Sequence, residues 1–415
     1  MNAQVPRSPA DGLATVPPHV PAELVFPIDM YALDGVEDGY HEAWKAIQDS
    51  GVPSLVWTPH NGGHWIATKA SLIKEIYSDF ARFSSEIILL PKEAGEKYTI
   101  VPAQMDPPDH TAYRKIMEKA LTLSRIRDFA PEIRAIAAEL IDVFVNRGYC
   151  NFSNEFAQVF PVRVFMALAG LPLEDVPRLL EITSQITRPS GNTPEEMGIS
   201  LDSAIRSLHN YVDPIIRERR GQEGDDLITV MVNSEVDGKQ LDDDNARGLT
   251  SLLLLGGLDT VVNFLNFMML YLARNPEKAS YFAADATNIR RGTEELLRRF
   301  PILAESRKIV SDMEYSGVSF KQGDLILAPI ALHNFDEELN SNPLELDLHR
   351  KRVSHITFGA GHHRCVGMNL ARIELGIMLE EWFRRIPKFQ IKDGKQPRFQ
   401  SGFVASARNV WLEWG

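Results

Sequence analysis

The longest apolar pattern in the chain runs from Asp242 to Asn275 and predicts one long helix, closed by Pro276. Shorter patterns surround it. Leu33–Ser50 has a helical period, with Trp44 and Ile47 on one face. Leu55–Thr58, the turn Asn61-Gly62-Gly63 and Trp65–Thr68 predict a hairpin, followed by a helix from Ser71 to about Phe80. Residues 84–105 have two prolines, one glycine and no clean period, which predicts a long loop, and such loops are usually functional. Asp106-Pro107-Pro108-Asp109 then opens a helix, with prolines at its entry and acid at its positive end. Amphipathic helices fill Ser124–Arg219, interrupted at Pro172, Pro189 and Pro194, and Glu235–Gly238 is hairpin-like. A helix is predicted over Asn288–Arg299, strands over Arg307–Val310, Val318–Phe320 and Leu325–Pro329, and a β-like run over Val353–Thr357. The last long helix runs from Val366 to about Arg385.

A length of 415 residues suggests two or three domains, but no low-complexity linker, charge block or repeat marks a boundary. The net charge of -12 argues against a general affinity for nucleic acid or anionic lipid. Two cysteines cannot build a disulfide framework, so a reducing compartment is expected. No apolar run approaches the ~20 residues of a membrane span; the best candidate is Leu249–Leu258. Residues 1–25 read as an extended or poorly ordered lead-in, and Met1–Pro27 lacks an apolar signal segment. A soluble, cytoplasmic protein is expected.

The candidate chemistry centres on Phe358-Gly359-Ala360-Gly361-His362-His363-Arg364-Cys365-Val366-Gly367, a loop that runs into the last long helix. A cysteine there faces backbone N–H groups and the positive end of the helix dipole, both of which favour thiolate. Gly359 and Gly361 remove side chains beside it, so the backbone can lie against something broad and flat. That combination suits an axial haem ligand. Three alternatives stand beside it: an inert thiol, as expected for Cys150; a nucleophile with His363 or His362 as base; and a zinc site with His355. In the long helix, Gly256-Gly257-Leu258-Asp259-Thr260 puts two glycines and an acid into an apolar run, where the acid needs partners. His110 and Arg114 share a helix face, as do Glu295 and Arg298.

Phe358-x-x-Gly361-x-His363-x-Cys365-x-Gly367 resembles the haem-binding signature of the cytochrome P-450 monooxygenases. Further elements of that family follow in its order: Gly256 to Thr260, Glu295-x-x-Arg298, and Pro343-x-x-Leu346-Asp347-x-x-Arg350. The similarity runs from about Pro17 to the C-terminus and is strongest toward the bacterial camphor 5-monooxygenases. It implies a mainly α fold with small β-sheets (α+β), residues 26–415 forming one domain around haem b. Cys365 would be the axial iron ligand, and Asp259 and Thr260 the acid–alcohol pair that delivers protons to bound O2. Gly256, Phe358, Gly359, Gly361, His363 and Gly367 would line the haem, with His110, Arg114 and Arg307 reaching its carboxylates. Glu295, Arg298 and Arg350 would form a buried structural network. Membrane-bound members begin with an anchor helix, and none is expected here.

The same resemblance implies a terpenoid ketone substrate, hydroxylated with O2 and two electrons from a [2Fe-2S] ferredoxin and its reductase. Tyr98 matches the tyrosine that hydrogen-bonds the ketone of camphor, and Thr187 and Leu252 also match pocket positions. Leu89 and Ile100 stand where the camphor enzymes have aromatics. Ala103 replaces a threonine, Leu255 and Leu303 replace valines, and Glu305 an aspartate, leaving an apolar, compact pocket. An ionone is the alternative substrate. A peroxide-using haem enzyme and a haem sensor or carrier are the alternative functions, and neither needs Asp259–Thr260. The ferredoxin would dock near Cys365 on a face with Lys74, Arg114 and Arg364. Ala360 and Arg364 replace a histidine and a leucine of the camphor enzymes, so the partner is expected to be the chain's own.

Overall fold

The computed structural model describes residues 13–93, 100–187 and 194–415. Helices dominate it, beside small sheets. The largest sheet has five strands in the order Leu55–Thr58, His64–Ala67, Leu325–Pro329, Ala304–Ile309, Phe83–Ser84. Leu325–Pro329 runs parallel to His64–Ala67 and antiparallel to Ala304–Ile309. The first hairpin turns through Asn61, Gly62 and Gly63, all with positive φ, and a side chain at Gly63 would strike the Trp57 ring at 2.7 Å. Residues from the expected lead-in lie along this hairpin: Ala14 donates to the Pro59 carbonyl and Val25 bridges to Trp57.

Several expected elements move, each for a local reason. The first helix starts at Tyr40, not Leu33, because turns occupy Leu33–Gly39 and Gly35 takes φ +78°. The last helix spans Met368–Arg385, since Val366 and Gly367 still belong to the turn after Cys365. Val353–Thr357 forms no strand. Its polar backbone is paired instead with buried side chains: Ile356 N–H donates to Asn334 Oδ1 (3.1 Å), and Ser354 O accepts from Asn340 Nδ2 (2.8 Å). The long apolar helix is two helices, Asp243–Leu258 and Thr260–Arg274, broken at Asp259. The span Asp243–Arg274 is long and apolar enough to cross a membrane, but 53% of its most apolar window is buried inside the molecule.

The aromatic core gathers on Trp382 of the Met368–Arg385 helix, which is ringed by Phe144, Phe152, Phe156, Phe389 and Trp414. Behind the cysteine loop lies a charge network. Arg298 and Glu295, both buried, form two parallel hydrogen bonds of 2.8 Å, and Arg350 adds a third arm at 3.1 Å. Arg298 also donates to the carbonyls of Pro343 (2.6 Å) and Glu345 (2.8 Å), and Glu295 accepts from the Asp347 N–H. The Glu295 carboxylate is thus paired with two guanidiniums and hydrogen-bonded on both oxygens, as a buried charge requires.

Removing one partner strands the other charge, so Arg298→Met is expected to cost about 3–5 kcal/mol. Arg114→Met, which breaks a pair with the exposed Glu118, should cost under ~1 kcal/mol. Urea unfolding of both variants checks this, and equal costs would mean the network is not a structural anchor.

Candidate functional site

The cysteine loop is held in place by backbone bonds. Cys365 N–H donates to Phe358 O (2.8 Å) and Gly359 N–H to Ile356 O (2.7 Å), folding the loop back on itself. Gly359 and Gly361 take φ +73° and +67°, a region other residues avoid. Gly361 also serves a different contact from the one expected. A Cβ there would lie 2.5 Å from the Tyr77 carbonyl oxygen, so its missing side chain lets the loop press on the Ala70–Ser78 helix. Phe358 is stacked under the Arg372 guanidinium at 4.7 Å.

Cys365 keeps solvent access as a residue although protein atoms surround its thiol closely. Burial pushes its pKa up, and the Gly367 N–H and Arg114 only partly oppose this. The helix-terminus argument for a ready-made thiolate therefore fails in the protein alone; a bound metal ion would have to hold the thiolate. Neither rival reading of this cysteine gains a partner. His355 spends Nε2 on Glu294 (3.1 Å) and Nδ1 on the Thr357 N–H (3.2 Å), leaving nothing for zinc. Among the described residues no histidine hydrogen-bonds the sulfur, as a nucleophile would need.

Around the loop the structure brings together most of the expected donors. His110 is buried, with its ring centroid 4.3 Å from that of His363 and 5.1 Å from that of His362. His363 Nε2 pairs with Met105 O at 2.9 Å. Burial, with Arg307, His362 and His110 close by, pushes the His363 pKa down to about 2. Burial, His362 and Arg114 take His110 down to about 4, so both rings are neutral near pH 7. Arg307 is buried over the Tyr77 ring and bonded to Ser306 O and Glu305. Arg114 acts on the sulfur electrostatically while paired to Glu118.

The second part of the site is the break in the central helix. Leu252, Leu255, Gly256, Asp259 and Thr260 recur on one face and keep solvent access in the middle of a mostly buried helix pair. A Cβ at Gly256 would meet nothing within 4 Å, whereas one at Gly257 would strike the Phe165 ring at 2.7 Å. One glycine clears space and its neighbour allows packing. Thr260 Oγ1 donates to Gly256 O (3.0 Å), and buried Asn263 donates from Nδ2 to both the backbone and the carboxylate of Asp259 (2.9 and 3.2 Å). These local bonds stand where the helix breaks. Leu89, Ile100 and Leu303 keep partial access. Tyr98 lies outside the described residues, as does the side chain of Thr187.

Sequence reasoning missed three contributors. Asn263 sits one turn after Asp259, a spacing that could have revealed it. Phe403 and Val404 are brought beside the candidate pocket residue Leu303 by backbone pairing, Ala304 N–H to Phe403 O (3.1 Å) and a bridge from Leu303 to Val404, which no local pattern announces.

The Cytochrome P450 family model matches residues 185–282 and 290–409, more than half of the chain. The chain belongs to the cytochrome P450 family. A probable cytochrome P450 127A1 of Sinorhizobium fredii is 31% identical over 96% of the chain and 97% of its own length. Cytochrome P450-terp of a Pseudomonas species is 28% identical over 96% and 98%. The crystal structure of CYP101J2 is 39% identical and superposes with a TM-score of 0.90, over 97% of this chain and all of that one. CYP101C1 gives 34% and 0.89, over the same share of this chain and 100% of its own. The protein is therefore a P450 monooxygenase, and proteins of this family bind haem b. The residues present fit that group: a lone accessible cysteine, space over Gly256, and buried imidazole and guanidinium donors suited to its carboxylates.

Gly361→Ala should displace the cysteine loop, because its Cβ meets backbone that cannot rotate away. Gly359→Ala shares the positive φ but meets nothing closer than 4.0 Å. Haem content per chain is expected to fall much further for Gly361→Ala, and equal losses would show that backbone strain alone is at work.

Proposed function

We propose that this P450 hydroxylates a small terpenoid ketone, camphor at its 5-exo position, with O2 and two electrons from a [2Fe-2S] ferredoxin and its reductase. The observation that carries this is the helix break, with Asp259 and Thr260 beside a glycine-cleared face lined by Leu252 and Leu255. Residues 26–415 act as one domain, in a soluble, cytoplasmic protein.

When bound, haem supplies the binding and reductive activation of O2. Cys365 would ligate its iron, His110, Arg114 and Arg307 would hold its carboxylates, and His363 would line it. Phe358, Gly359, Gly361 and Gly367 shape the loop around it. Thr260 Oγ1–H donates its hydrogen bond to Gly256 O, which leaves the hydroxyl oxygen able to accept one from the cavity side. Asp259, held by Asn263, moves protons inward. Leu89, Ile100, Leu252, Leu255 and Leu303, with Thr187, exclude water and confine the substrate, while Tyr98 fixes its carbonyl. Glu295, Arg298 and Arg350 stay structural.

The ferredoxin docks by charge on a face that includes exposed Lys74 and Arg364 beside Arg114. Leu89 and Ile100, aliphatic where the camphor enzymes are aromatic, favour an ionone as the second candidate. A haem sensor or carrier would leave Asp259 and Thr260 without a task.

The test is turnover of camphor with a [2Fe-2S] ferredoxin and its reductase, counting product per electron pair. Coupled formation of 5-exo-hydroxycamphor is expected. Turnover of an ionone but not camphor would move the substrate, and no coupled turnover of either would overturn the reading. Thr260→Ala should keep consuming reductant but release hydrogen peroxide in place of product. Tyr98→Phe should weaken camphor binding roughly 2- to 10-fold, the worth of one neutral hydrogen bond, and scatter the product distribution. A carbonyl-free analogue should be indifferent to it, and equal effects on both substrates would remove Tyr98 from the ketone site.

A further inference from the structure

Residues 86–90 and 100–104 are the two arms of the stretch that carries Leu89, Tyr98 and Ile100, all assigned above to the substrate. The first arm is tied to the large sheet and to the N-terminal segment. Ser306 donates from Oγ to Ile87 O (3.0 Å) and from its N–H to Ile88 O (3.1 Å), and Tyr31 donates from Oη to Leu90 O (2.6 Å). Bonds to the residues on either side of it thus fix Leu89. Below both arms, Asp106 Oδ1 accepts the Ser85 N–H at 3.0 Å and closes the neck of the stretch.

The returning arm is held by one side chain. Gln104 is only 8% exposed, and its amide bridges the two arms: Oε1 accepts the Ile100 N–H (2.8 Å) and Nε2 donates to Glu86 O (2.9 Å). The Gln104 N–H donates in turn to Ile100 O at 3.0 Å, so both backbone groups of Ile100 are bonded to the same residue. A side-chain amide offers acceptor and donor together without charge, which is what this buried bridge needs. Next to Ile100, Val101 packs on the central helix: a Cβ at Gly248 would come within 3.2 Å of the Val101 Cβ. Gly248, Leu252 and Leu255 are spaced i, i+4 and i+7 and so share a helix face. The Gln104 bridge therefore sets how Ile100 stands relative to the face that carries Leu252 and Leu255. No haem contact or proton step assigned above uses Gln104.

We infer that Gln104 is a positioning residue: by fixing Ile100 it sets the shape of the substrate pocket. The inference rests on the proposed assignment of Ile100, Leu252 and Leu255 to that pocket and not on which terpenoid fills it. Asp106 and Ser306 hold the stretch without Gln104, so losing the bridge loosens Ile100 and leaves the chain folded.

The test is a double-mutant cycle in the haem-loaded protein between Gln104→Met, which keeps the side-chain length and removes both bonds, and Ile100→Ala. Imidazole and 4-phenylimidazole, which bind haem iron from the pocket side, are titrated spectrally, and the product distribution from camphor and from an ionone is measured. In Gln104→Met the affinity for 4-phenylimidazole should fall roughly 2- to 10-fold, the worth of one hydrogen bond, while the smaller imidazole binds as in wild type. The loss should nearly vanish in the Ile100→Ala background, because the bridge acts through Ile100. Products should scatter in the single variant. Unchanged 4-phenylimidazole binding in either single variant, equal losses for both azoles, or fully additive losses in the double variant would overturn the inference. If Gln104→Met fails to load haem, Gln104→Glu takes its place in the cycle under the same criteria. Wild type that turns over neither camphor nor an ionone would strike the substrate reading instead, and the azole cycle would still decide the role of Gln104.

Discussion

Everything at the site hangs from the buried pair Glu295–Arg298. Its two hydrogen bonds use one edge of the guanidinium, and the other donors hold the carbonyls of Pro343 and Glu345. From the same helix, Arg298 O accepts from Asn334 Nδ2 and Leu297 O from Thr357 Oγ1, while Asn334 also bonds the Ile356 N–H. The cysteine loop is thus fastened, residue by residue, to a charge pair that cannot shift without stranding a buried ion. Such a pair gives little net stability compared with apolar packing, but it fixes one arrangement. For a loop proposed to present a ligand sulfur, a fixed arrangement is the useful property.

The central helix shows the opposite economy. Gly256 costs its helix roughly 1 kcal/mol against alanine, whereas Gly257 is required by the Phe165 ring packed on it. The chain gives up that stability where Asp259, Thr260 and Asn263 turn helix-making groups toward local bonds and open a face in the core. The rigid side presents the sulfur and the interrupted side presents polar groups able to move protons.

Much of this was legible in the sequence, because the signals were local. The first hairpin, the cysteine motif and the glycine–acid helix each declare themselves by spacing or turn chemistry, while the loop expected over 84–105 lies partly outside the described residues. What stayed hidden depends on distant partners. Val353–Thr357 alternates like a strand, yet Asn334 and Asn340 claim its backbone. The role of Gly361 is set by the Tyr77 carbonyl, far away in sequence. Thiolate formation at Cys365 looked favourable from helix geometry alone, but desolvation outweighs the dipole once the thiol is buried. The places of Phe403 and Val404 and the Gln104–Glu86 bond likewise arise from tertiary pairing.

The central claim is that Cys365 ligates haem through its sulfur. The carbon monoxide difference spectrum of the reduced protein tests it most directly, measured beside Cys365→His. The account predicts the strongly red-shifted Soret band of a thiolate-ligated haem in the wild type and its loss in the variant. An unshifted, histidine-type band in the wild type, or the same red-shifted band in both proteins, would contradict it.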